Sequence, residues 1–139
     1  AAFASMEEIA IAADAQSCPP VLKLWGTEIY LVHTPFYSAK LLLVKPGFQC
    51  SLHRHLVKDE TFLVRGGTIL LEFGEKKRYL AVGDSERILP GTWHRFTNRG
   101  PARAVLLEVS TCHSDEDVER QEPSRSVITA AGEKRSSLT

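Results

Sequence analysis

The chain has 139 residues and a mass of 15.4 kDa, with 17 Lys and Arg balanced by 17 Asp and Glu. That length holds one well-buried domain, and a zero formal charge supplies no basic stripe for a phosphate backbone, which argues against nucleic-acid binding. No apolar run approaches the ~20 residues of a membrane span, so a soluble, cytoplasmic protein without a membrane partner is expected.

The first five residues, AAFAS, precede Met6, the only methionine. They read as a remnant ahead of a natural start, and the opening lacks the n-region and h-region of a signal peptide. MEEIAIAADA (6–15) has the composition of a short helix. Together residues 1–20 are an N-terminal segment. From residue 21 the pattern changes to short apolar or alternating runs: 21–34, 37–45, 48–55, 60–65, 68–74, 76–82, 87–90, 94–98 and 103–111. Gly, Pro, Asp and Asn punctuate them, most clearly at Lys45-Pro46-Gly47, Arg65-Gly66-Gly67, Val82-Gly83-Asp84 and Pro90-Gly91. Many short strands without a strong helical period predict an all-β sandwich or barrel over 21–113. The polar stretch 114–139 buries little apolar surface and is expected to be a mobile or lightly packed tail. Cys18, Cys50 and Cys112 are scattered, with no disulfide framework, and each reads as a small buried hydrophobe.

Chemistry concentrates in HRHLVKDETFLVRGG (53–67). Alternate side chains on a strand share a face, so His53 and His55 can meet one ion while Arg54 points away. The turn LVKD (56–59) brings Glu60 back toward that pair, and His94 follows a second turn at Pro90-Gly91. Three neutral nitrogens and a carboxylate suit one divalent transition metal, whether Mn, Fe, Ni, Co or Zn. An open position would remain for water or substrate.

These residues resemble the motifs of the cupin superfamily. The first motif matches at Gly47, His53, His55, Glu60 and Gly67; the second matches at Gly83, Gly91, His94 and Asn98, with Leu89 in a proline position and Pro90 displaced by one. The resemblance implies a cupin double-stranded β-helix, a small jelly-roll-like barrel, with His53, His55, Glu60 and His94 as metal ligands. A narrower pattern covers about 25–120: Trp25-Gly26, Tyr37, Lys40, VKPG (44–47), Ser51, PGTWHRFTN (90–98) and LLEVST (106–111). It looks like the cupin module of bacterial mannose-6-phosphate isomerases of the type often fused to sugar-nucleotide transferases. His53, His55, Lys58 and Glu60 are also similar to the HxHxxKxE of cupin D-lyxose isomerases. Both imply a sugar or sugar-phosphate substrate and an aldose–ketose isomerisation. Lys58 is then the position-matched base, with Glu60 the alternative.

Parity assigns the remaining residues. Lys40 shares a face with Leu42 and Val44, unusual for lysine, and is a substrate-binding candidate. Phe62, Val64 and Phe96 share the parity of Glu60 and His94 and should line the pocket, Phe62 and Phe96 as substrate contacts. Trp25 is expected in the core, Trp93 and Arg95 on the face opposite His94, and Asn98 in a turn. His33 and His113 are expected at the surface, and Cys50 facing away from the metal. Leu41, Leu43, Leu63 and Leu71 form the alternate face on which a homodimer is expected. Competing readings are a metal-dependent dioxygenase or other oxidative cupin, and a non-catalytic carbohydrate-binding cupin. Glu60 disfavours the thiol-dioxygenase branch, which uses three histidines alone.

Overall fold

Each expected run becomes one strand or a broken strand. In chain order these are β1 (Val21–Lys23), β2 (Gly26–His33), β3 (Tyr37–Val44), β4 (Phe48–Gln49), β5 (Leu52–Arg54), β6 (Glu60–Gly66) and β7 (Ile69–Phe73). They are followed by β8 (Lys76–Leu80), β9 (Ser85–Ile88), β10 (His94–Thr97), β11 (Ala104–Thr111), β12 (Glu119–Glu122) and β13 (Arg125–Ser126). The computed structural model describes residues 19–111 and 113–128, so the expected helix over 6–15, Cys18 and Cys112 lie outside the described residues. Among those residues there is no helix, and none long and apolar enough to cross a membrane.

Every pairing is antiparallel, and the strands form two sheets. One is six-stranded, in the order β1-β2-β3-β11-β6-β9. In the other, β10 pairs with β7 on one edge and with both β4 and β5 on the other, and β8 extends it beyond β7. β4 and β5 are therefore two pieces of one strand interrupted at Cys50-Ser51. This is the double-stranded β-helix expected from the motifs. Two turn glycines show why the chain can reverse so tightly: Gly47 and Gly67 sit at φ 81° and 68°, where side chains are disfavoured. At Gly67 a Cβ would also stand 2.9 Å from the Arg103 carbonyl oxygen.

The space between the sheets holds Trp25, Leu42, Val44, Phe62, Val64, Phe96 and Leu106 at its centre. A smaller cluster of Ile29, Leu43 and Val105 packs with Leu31 and Leu41 on the outer face of the six-stranded sheet. Leu71 departs from expectation. It pairs with Phe96 across β7 and β10 and is 1% exposed inside the core, so it belongs to no outer face.

The polar tail also departs. β12 pairs with β5 and β13 with β4, so residues 119–126 complete the sheet that carries the histidines. Backbone hydrogen bonding needs no apolar side chains, and an otherwise open edge beside β5 offered a row of unpaired N–H and C=O groups. Val127 adds one fully buried side chain to this edge, and its N–H bonds the Gly47 carbonyl at 2.7 Å.

Candidate metal centre

β5 and β10 place two imidazoles side by side, because His53 and His94 are directly opposite in register. His55 follows β5 with the same facing as His53. Each ring is oriented by a backbone carbonyl. Nδ1 lies 2.7 Å from the Ser51 oxygen for His53, 2.6 Å from Asp117 for His55, and 2.8 Å from Thr92 for His94. A carbonyl only accepts, so the proton sits on Nδ1 and each Nε2 keeps a bare lone pair. The ligand atoms of the three histidines lie within 4.8 Å of one another.

Glu60, opening β6 in the facing sheet, completes the group. Its Oε2 lies 3.4 Å from His55 Nε2 and 3.6 Å from His94 Nε2. Glu60 Oε2 and His94 Nε2 are both buried without a hydrogen-bond partner. Orphaned buried polar atoms are costly, and these two point at a common space. Burial pushes all three imidazoles down, His53 to about 3 and His55 to about 4, with neighbouring His94 and Lys58 adding to the effect respectively. They are neutral at pH 7, the form that ligates metal. Burial also pushes Glu60 above the usual carboxylate range, reinforced by Glu108. Three bare imidazole nitrogens and a buried carboxylate whose nearest cation is Lys58 Nζ at 3.9 Å fit a divalent cation, whose charge would relieve the Glu60 burden. His53, His55, Glu60 and His94 are thus the residues able to hold it.

The cavity beside this group measures ≈ 130 Å³, and Trp25, Phe62 and Phe96 form an apolar part of its lining. Trp25 meets Phe96 edge-on at 5.0 Å, so both serve core and cavity. The six-stranded sheet, together with Lys58 from the 56–59 turn, supplies a polar wall. Lys58 Nζ donates to Glu108 Oε2 at 3.2 Å, Lys40 Nζ stands 3.9 Å from the same oxygen, and Lys40 donates to Glu28 Oε1 at 3.2 Å. Lys40 and Lys58 are 4% and 3% exposed, so neither is a solvated surface lysine. Burial works against charge on Glu108, but Lys58 and Lys40 outweigh it and hold the carboxyl below its usual range. Burial likewise opposes the Lys40 ammonium, and Glu108 and Glu28 outweigh that and hold it above its usual range.

Glu108 was not singled out in the sequence, yet its signal was there. It shares the parity of buried Leu106 and Ser110 on β11, the same anomaly that marked Lys40. Asp117 carried no such signal. Its carboxylate accepts from the N–H of Leu56 at 2.8 Å, Val57 at 3.2 Å and Lys58 at 2.9 Å, bracing the loop between the histidine pair and Glu60.

Two expectations need correction. His113 is no surface histidine: it is half-buried at the cavity, with Nδ1 3.2 Å from Lys58 Nζ and Nε2 2.9 Å from Asp115 Oδ1. The chain end of β11 is held over the 56–59 turn, where the Thr111 N–H bonds the Asp59 carbonyl at 3.0 Å, and this brings His113 inward. His33 is exposed, stacked on Tyr30 at 5.2 Å. Cys50 does not face away but lines the cavity, because strand parity resets in the break between β4 and β5. Its Sγ accepts from the Phe96 N–H at 3.2 Å. Arg95 and Trp93 do lie on the outer face, Arg95 bonding Glu72 at 3.1 Å and Trp93 lying under the Arg54 guanidinium at 4.8 Å. Asn98 ties the turn it opens by donating to the Val44 and Ala102 carbonyls.

Comparison with known proteins agrees with this geometry. The family model described as "Cupin domain" matches residues 40–110. The chain is 27% identical over 93 residues to a mannose-1-phosphate guanylyltransferase of Sinorhizobium fredii, covering 67% of this chain and 18% of that protein. It is 29% identical over 103 residues to mannose-1-phosphate guanylyltransferase 2 of Escherichia coli O157:H7, covering 73% and 21%. The chain therefore spans about a fifth of the length of these relatives. Among solved structures, the capsular polysaccharide assembling protein CapF of Staphylococcus aureus superposes with a TM-score of 0.69 at 22% identity, over 75% of this chain and 34% of that one.

Proposed function

This chain belongs to the cupin domain family, and from that premise we propose that it is a metal-dependent isomerase of sugars or sugar phosphates. One observation carries the proposal: His53 and His55 of a three-imidazole, one-carboxylate group line a small cavity together with a string of alternating charges, Lys58, Glu108, Lys40 and Glu28. Polyhydroxy substrates need many fixed polar partners, and aldose–ketose isomerisation needs a proton carrier beside an electrophile. The mannose-1-phosphate named in the relatives supports a sugar ligand.

A divalent ion held by His53, His55, Glu60 and His94 would supply Lewis-acid stabilisation of charge developing on neighbouring substrate oxygens. The chain's own residues then move the protons. Glu108 takes the proton from one substrate carbon and returns it to the adjacent carbon. Lys58 gives a proton to the oxygen that becomes a hydroxyl and recovers one from the oxygen that becomes a carbonyl. This revises the expectation of Lys58 as the base: Nζ already faces two acceptors, Glu108 Oε2 and His113 Nδ1, each at 3.2 Å, so it acts as a donor. Glu60 stays with the imidazoles. Lys40 and Glu28 bind substrate hydroxyls, while Phe62 and Phe96 exclude water from the apolar side.

The test is anaerobic incubation of metal-loaded protein with aldoses and their 6-phosphates in D₂O. Ketose formation with deuterium at the exchanging carbon is expected, lost in Glu108→Gln with metal retained. Oxygen uptake with bound iron or copper, or intact metal with no exchange on any of these sugars, overturns the isomerase. A homodimer through the half-buried leucines that remain on the expected face, Leu41 and Leu63, belongs to the same proposal. Light scattering at micromolar concentration checks it, and a monomer mass removes it.

A further inference from the structure

We propose that Arg120 is the anion-recognising residue of this cavity, and that the ligand is a sugar bearing a negatively charged group at the end remote from the imidazoles. The sugar rests on the function proposed above; the charge rests on Arg120 alone.

Arg120 stands on β12 directly opposite His53, which in turn stands opposite His94 on β10. Residues in register across antiparallel strands project to the same face, with Cα atoms ~5 Å apart. The three side chains thus form one row across adjacent strands, graded in depth. His94 is buried, His53 half-buried and Arg120 exposed, and Arg120 lines the cavity with both His53 and His55. A ligand anchored at the imidazoles and extending outward along this row meets the guanidinium at the mouth.

The acidic groups around the cavity are engaged by residues other than Arg120. Glu28 lies 3.2 Å from Lys40 and 3.9 Å from Lys23, Glu108 is paired with Lys58 at 3.2 Å, and Asp115 is hydrogen-bonded to His113 at 2.9 Å. The acidic residues flanking Arg120 on β12 are also occupied. Glu119 alternates to the outer face opposite Arg54, and a register shift between Arg120 and Glu122 turns Glu122 there as well. There Glu119 pairs with Arg54 at 2.8 Å and Glu122 with Arg95 at 3.5 Å. Among the described residues Arg120 has no acidic partner. Without that register shift Glu122 would share Arg120's face and could neutralise it. Phosphate and carboxylate present the same bidentate oxygen geometry to a guanidinium.

Calorimetric titration of the metal-loaded full chain with mannose 6-phosphate, glucuronate, mannose and inorganic phosphate tests this, on wild type, Arg120→Gln and Arg120→Lys. The charged sugars are expected to bind about 10- to 100-fold tighter than mannose, the range of a charge-assisted hydrogen bond. Arg120→Gln removes at least tenfold of that advantage with mannose affinity and metal content unchanged, and Arg120→Lys restores part of it. The charged sugar that binds tighter identifies the phosphate or the carboxylate as the recognised group. Equal binding of charged and neutral sugars by wild type, a preference that survives Arg120→Gln, or no sugar binding at all overturns the proposal. Arg120-dependent preference without turnover sinks the isomerase alone.

Discussion

Removing the Asp117 carboxylate should loosen the loop that connects the histidine pair to Glu60. In Asp117→Ala three N–H groups lose their acceptor: Leu56, Val57 and Lys58, at 2.8, 3.2 and 2.9 Å. Leu56 and Val57 are exposed and can bond water, whereas Lys58 is 3% exposed, so only part of the loss is uncompensated. The situation resembles removal of an N-cap aspartate, worth about 1–2 kcal/mol. For a domain of this size that is ~4–8 °C in Tm, read by differential scanning calorimetry. The pH dependence has a definite sign. Burial opposes the Asp117 charge, but the three N–H bonds outweigh it and hold the carboxyl below its ordinary 3.8. A depressed folded-state value contributes stability that is full above the unfolded value and lost as pH falls through the folded one. The gap between wild type and Asp117→Ala should therefore be complete at pH 6–7 and narrow below about pH 4. Asp117→Asn, which keeps an acceptor, should lie between. A Tm gap under 1 °C at pH 7, or one that stays constant as the pH is lowered toward 3, refutes the bracing role.

Wild type should bind close to one divalent ion per chain by mass spectrometric metal analysis, and His94→Ala less than a tenth of that. Saturating metal should raise wild-type stability by about 2.7 kcal/mol at 100 times Kd and leave His94→Ala unmoved. Equal metal content in the two proteins counts against the centre. Lys58→Met alone leaves Glu108 partly unpaired inside the protein and should cost about 3–5 kcal/mol. The double variant Lys58→Met, Glu108→Leu should be less destabilised than the sum of its parts by more than 1 kcal/mol in urea denaturation, and additivity would show that the pair is uncoupled. Burial pushes the Cys50 thiol up to about 12, despite the Phe96 N–H that favours the thiolate. Iodoacetamide at pH 8 should leave Cys50 unmodified in the native protein and alkylate it in urea, as located by peptide mass mapping; rapid native labelling would contradict its burial.

Strand-level order was legible because alternation and turn chemistry are local. β3, β6 and β11 fall where their apolar runs stand, and the parity of Lys40 with Leu42 correctly marked a lysine on an inward face. Parity failed where a strand breaks: across Cys50-Ser51 two residues leave the ladder, and a thiol assigned to the far side lines the cavity instead. It failed differently for Leu71, because the inward face of β7 is set by its pairing with β10.

The sequence by itself determined the barrel and picked out the three histidines that cluster, with Glu60 beside them. His53, His55 and Glu60 lie within eight positions, and His94 follows a turn after which its strand places it opposite His53. Only the tertiary structure decided what surrounds them. Lys58 meets Glu108 across 50 positions and His55 meets Asp117 across 62, through a polar segment that looked too poor in apolar surface to pack. Such contacts depend on backbone pairing and on matching buried charges, and neither leaves a period in the chain. Arg120 shows the difference most clearly: one glutamate flanks it and another lies two residues on, but strand alternation and a single register shift leave both glutamates on the opposite face from it.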